Sequence, residues 1–100
     1  MFKIGERKLN EIAVKYSIDN YPNPFNPETI IRYSLPEATQ LEIKVYDMIG
    51  REVAELVNRF QMDGSYELRF DGSNLPSGVY IYTIRTSKYF ESKKMIKMEQ

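Results

Sequence analysis

The sequence predicts an all-β fold, an immunoglobulin-like antiparallel β-sandwich of seven short strands. Three observations predict it. Apolar residues recur with period two in one segment after another, the segments start about ten residues apart, and clusters of Gly, Pro, Asp and Asn separate them. The chain has 100 residues, which suits one domain with a modest core. It contains neither an internal repeat nor a low-complexity tract.

Residues 1–11 read as a linker, and residues 12–100 as the sandwich domain. Ile12, Val14, Tyr16 and Ile18 alternate with Ala13, Lys15 and Ser17, the pattern of a strand with one buried face. A proline-rich break follows, after which Ile31, Tyr33 and Leu35 alternate with Arg32 and Ser34 until Pro36 ends the run. Leu41, Ile43 and Val45 alternate with Glu42, Lys44 and Tyr46, the clearest half-buried strand in the chain. Asp47 to Gly50 reads as a turn, with Gly50 free to take a positive φ.

The segment from Arg51 to Phe60 carries Val53, Leu56, Val57 and Phe60 at helical spacing, yet the turn before it favours a hairpin strand. Asp63-Gly64 turns the chain again, and Tyr66, Leu68 and Phe70 alternate with Glu67 and Arg69 up to Asp71-Gly72. Val79 to Ile84 is β-branched and aromatic throughout, apolar on both faces, as a central strand would be. Tyr89 to Met98 gives a last, more polar strand.

Composition strikes out several chemistries. There is no His, Cys or Trp, so the commonest general base, the thiolate nucleophile and the usual zinc ligands are missing. Ser73 and Ser77 have no His to activate them. Asp47, Asp63 and Asp71 lack the spacing of a calcium loop, and an Asp beside a turn is explained by side-chain bonding to its own backbone. Catalytic, cofactor and metal residues are therefore expected to be none. Fourteen basic residues balance fourteen acidic ones, which gives no global footprint for nucleic acid. No stretch approaches the ~18 apolar residues of a membrane span, and the N-terminus lacks the apolar core of a secretory signal. The stretch from Arg85 to Gln100 is nonetheless basic, with a local net charge of +3. Its candidate recognition residues are Lys93, Lys94, Met95, Ile96 and Lys97. Lysines on a final strand also serve to deter edge-to-edge pairing.

The strongest local signal is Tyr21-Pro22-Asn23-Pro24-Phe25-Asn26-Pro27, where three prolines fix three φ angles; the segment reads as a stiff corner with Phe25 facing the core or, alternatively, as an exposed recognition epitope. Taken with Tyr33-Ser-Leu-Pro, the turn from Asp47 to Gly50, Asp71-Gly72, Leu75-Pro-Ser-Gly78-Val-Tyr80 and Lys93-Lys-Met-Ile-Lys, the sequence resembles the type A C-terminal sorting domain of the type IX secretion system. The Ig-like domain of flagellar hook-capping proteins shares the Pro-Asn-Pro-Phe start.

The resemblance implies a non-catalytic address label without cofactors. It implies outer-membrane type IX translocon and sortase components as partners, an N-terminal cargo domain, transit through the periplasm, and a destination at the cell surface or outside. Pro22, Asn23, Pro24, Phe25, Asn26, Pro27, Asp47, Gly50, Asp71, Gly72, Gly78 and Tyr80 would then be structural, and the basic end would be read by the machinery. Neither nucleic-acid binding nor membrane insertion is expected. The alternatives are a structural Ig-like module of a surface or flagellar assembly, and a carbohydrate-binding module using Tyr46, Tyr80 and Tyr82.

Overall fold

A computed structural model describes residues 3–99 as two four-stranded antiparallel sheets enclosing one core, a sandwich-like arrangement. The strands are β1 (Lys3–Leu9), β2 (Ser17–Tyr21), β3 (Glu28–Leu35), β4 (Thr39–Tyr46), β5 (Glu52–Gln61), β6 (Gly64–Asp71), β7 (Gly78–Arg85) and β8 (Phe90–Lys97). One sheet has the order β1-β6-β3-β2 and the other β5-β4-β7-β8. Among the described residues no helix is long and apolar enough to cross a membrane.

The strand count corrects the expected seven to eight, and the extra strand lies in the segment read as a linker. Lys3–Leu9 has no alternating pattern, so periodicity is silent there; it pairs with β6 from Lys3↔Phe70 to Leu9↔Ser65 and so covers that strand's outer edge. Glu6 fastens it to the rest of the molecule. The carboxylate accepts a hydrogen bond from the Tyr33 hydroxyl and pairs with Arg59 on β5, across the gap between the sheets.

The expected strand from Ile12 to Ile18 shrinks from its front. Ile12 and Val14 are 91% and 83% exposed. The reason is the ladder: β2 pairs with β3 from Ser17↔Ser34 to Tyr21↔Ile30, and β3 ends at Leu35, so residues before Tyr16 have no strand opposite them. Tyr16 stacks on Tyr89, with ring centroids 4.8 Å apart, and donates to Glu37 at 2.6 Å.

The ambiguous segment after Gly50 is strand β5. Its helix-like spacing arises from two register shifts against β4, at Ile43/Lys44 and Val45/Tyr46, which put Ala54, Leu56 and Val57 all inward. Strand β7 is central, as its composition predicts, with Tyr80, Tyr82 and Ile84 inside and Val79 and Ile81 half-buried on the outer face. Ile31, Leu35, Leu41, Ile43, Val45, Phe70 and Ile84 are fully buried between the sheets.

Candidate recognition surface

The proline-rich corner and the last strand meet. Strand β8 is a sheet edge with β7 on one side only, and the segment Asn23–Phe25 occupies its other side. The Phe25 amide donates to the Ile96 carbonyl and the Met98 amide donates to the Phe25 carbonyl, each at 2.9 Å. One turn earlier the Asn23 carboxamide acts as a strand would: the Ile96 amide donates to its oxygen at 2.9 Å, and its NH2 donates to the Lys94 carbonyl at 3.1 Å. The peptide bonds before Pro22, Pro24 and Pro27 are cis. The Phe25 ring, 1% exposed, enters the core. Backbone groups that would otherwise be an open template for another chain are thus satisfied from within.

The same end of the molecule gathers the other motif residues. Gly72 donates to the Pro27 carbonyl at 2.9 Å. A Cβ at Gly72 would sit 3.1 Å from the Phe25 ring, 3.3 Å from the Pro27 carbonyl oxygen and 3.5 Å from the Lys97 side chain, so no other residue fits without movement. Asp71 binds the following turn through the Ser73 hydroxyl and amide, and these bonds hold its carboxyl below the usual range. Asp47 accepts from the amides of Ile49 and Arg51 and pairs with the Arg51 guanidinium at 2.8 Å. The Arg51 amide is the first cause of its lowered pKa. Gly50 closes that turn at φ 88, a conformation costly for other residues. The Tyr80 hydroxyl donates to the Pro76 carbonyl at 2.6 Å, bracing the loop before Gly78. Pro22, Pro24 and Asn26 are exposed beside the corner, and Pro27 is half-buried. Asp47 and Asp71 are turn-forming carboxylates, each engaged by its own loop.

The five candidate recognition residues do not form one surface. Met95 is fully buried, and Lys97 is 9% exposed with its stem against Gly72. Lys93 lies opposite inward-facing Tyr82 and is exposed because β8 is an edge. Lys94 and Ile96 point out from the opposite face of the sheet, facing Ile81 and Val79 in the ladder. Their residue types indicate charge and apolar character; only the strand phase, fixed by Met95 in the core, reveals which are presented.

The carbohydrate reading relied on Tyr46, Tyr80 and Tyr82 as an exposed set. Tyr80 and Tyr82 are 5% and 1% exposed, facing the core, which leaves Tyr46 alone on the outer face. What the pattern missed is that Tyr46 stands beside Ile81 and Lys94 on that face, a juxtaposition across three strands that no local signal encodes.

A search among curated proteins finds no match to this chain. A family model, that of the secretion system C-terminal sorting domain, matches residues 19–98. The matched stretch runs from β2, through the Asn23–Phe25 corner and the Asp47, Gly72 and Gly78 turns, to the end of β8. Spanning about four fifths of its length, that match establishes that the chain belongs to the family of type IX secretion C-terminal sorting domains.

Proposed function

We propose that this domain is a non-catalytic address that takes an attached N-terminal cargo through the periplasm and across the outer membrane, read there by translocon and sortase components. The observation that carries this reading is the presentation of the final strand. Its backbone edge from Lys94 to Met98 is closed by Asn23 and Phe25, while Lys93, Lys94 and Ile96 stay exposed. Recognition of this strand therefore works through side chains rather than by adding a strand to its edge. Lys93 and Lys94 have no ion pair among the described residues, so both charges are available to a partner.

The test is a fusion of the full chain behind a periplasmic reporter in a bacterium that has the secretion system. Export of the reporter to the surface or medium is expected, and retention of a folded fusion in the periplasm overturns the reading. A deletion of residues 93–100 is the wrong variant, because it takes Met95 out of the core and removes the partners of Asn23 and Phe25. Charge reversal at Lys93 and Lys94 leaves those contacts in place and is expected to lower export while the melting temperature stays unchanged.

A further inference from the structure

The outer faces of the two sheets are finished differently. On the β1-β6-β3-β2 sheet, charges are matched: Arg7 and Arg32 reach Glu67 at 2.6 and 3.6 Å, and Arg69 reaches Glu28 at 2.8 Å. On the other sheet, the end near Lys97 is apolar. The ladder places Tyr46, Ile81 and Lys94 side by side in one row and Val79 and Ile96 in the next. Beyond that row Met48 and Ile49, 66% and 75% exposed at the tip of the β4–β5 turn, line with Val79 a shallow groove of about 270 Å³. A contiguous exposed apolar patch with a polar rim marks an interaction site.

Charge says what the occupant carries. The other cations of this face are engaged: Lys44 has Glu42, Glu52 and Glu55 within 3.0–3.8 Å, Arg85 has Glu42 at 3.8 Å, and Arg51 has Asp47 at 2.8 Å. Lys94, set among Ile81, Tyr46 and Ile96, has no ion pair among the described residues. We infer that this face, built from Tyr46, Met48, Val79, Ile81, Lys94 and Ile96, docks a partner protein that presents an apolar ridge bearing a carboxylate.

Two other occupants fit less well. A second copy docked face to face would bring no free carboxylate, since Glu42, Glu52, Glu55 and Asp47 of this face are already bound by Lys44, Arg85 and Arg51. A cargo joined ahead of β1 would leave from the other sheet, from the edge strand that the Glu6–Arg59 pair places over β5 and not over β8. The inference rests on the sorting reading for where the partner resides, namely in the secretion machinery.

Reporter export by the full chain tests it, alongside the melting temperature and sedimentation of each purified protein. Ile96→Glu and Met48→Asp, both at exposed positions, are expected to reduce export about tenfold with unchanged melting temperature, the loss typical of one anchor side chain. Ile81→Gln should reduce it at least as much. Lys94→Glu should reduce export while Lys94→Arg retains it, and Arg32→Glu on the other sheet should leave it unaltered. Wild-type export with normal export of folded Ile96→Glu and Met48→Asp overturns the docking face and spares the sorting reading. Retention of the wild type overturns the sorting reading itself. Equal impairment by Arg32→Glu overturns the face assignment. A wild-type dimer that Ile81→Gln converts to monomer makes a second copy the occupant and overturns the partner assigned here.

Discussion

The ring of Phe25 meets that of Phe70 edge to face, with centroids 6.1 Å apart and planes at 69°. Phe25 comes from the proline-rich corner and Phe70 from the end of β6, so this contact locks a loop into the core at the end where β8 finishes. Phe25→Ala removes a fully buried ring and is expected to cost about 3–5 kcal/mol. That is a large share of the ~5–15 kcal/mol available to a small domain. Urea unfolding checks it, and a loss below about 1 kcal/mol would show that the corner is not part of the core.

Gly72→Ala tests the closeness of that packing. The added Cβ meets a ring carbon, a backbone carbonyl and the Lys97 stem, of which only the last is flexible. Overpacking of this kind costs about 1–3 kcal/mol. Gly5→Ala, whose Cβ would meet nothing within 4 Å, is the matched control and should change stability by less than about 0.5 kcal/mol in the same urea experiment.

Asn23→Ala removes both side-chain bonds that close the edge of β8. Each such bond contributes about 0.5–1.5 kcal/mol. Amide exchange at Ile96 should accelerate about tenfold or more while amides of β6 remain protected. Asn23→Asp keeps the acceptor for the Ile96 amide but loses the donor to the Lys94 carbonyl, and should fall between the two.

Alkaline pH should unfold the domain. Burial pushes the Tyr33 hydroxyl well above its ordinary range, with the neighbouring Glu6 adding to the shift, and burial does the same for Tyr82. A folded pKa above the unfolded one means the stabilisation is complete below the unfolded value of about 10 and is lost as pH climbs toward the folded value. Melting temperature measured from pH 8 to 12 should fall above about pH 10, with a weaker fall in Tyr82→Phe.

On the acid side the sign reverses for Asp47. Its folded pKa is depressed, chiefly by the Arg51 amide. The contribution is present above the unfolded carboxylate value of about 4 and is lost as pH falls through the folded one. Asp47→Asn should flatten the decline in melting temperature between about pH 5 and 2.

Period-two alternation made β3, β4, β6 and β7 legible, because each buries one face or both against a shared core. The turns at Asp47–Gly50 and Asp71-Gly72 were legible through their own chemistry. Strand β1 was not, since its pairing depends on the free edge of β6 and not on any burial pattern of its own. Ile12 and Val14 misled for the complementary reason: the alternation exists, but no strand lies opposite to use it. Of the site, the residue types at 93–97 were legible and their directions were not. The direction of each side chain follows from Met95 reaching the core, and the neighbours of Lys94 follow from registers with strands up to two places away.

The bonds between residues 23–25 and 94–98 have a consequence for timing. They span nearly the whole sorting domain, so they form only after its last strand has been made and docked. A nascent or unfolded chain carries the lysines but not the arrangement that presents them. On the proposed reading, the address becomes readable only on a finished product, which would couple permission to leave with proof that the domain was completed.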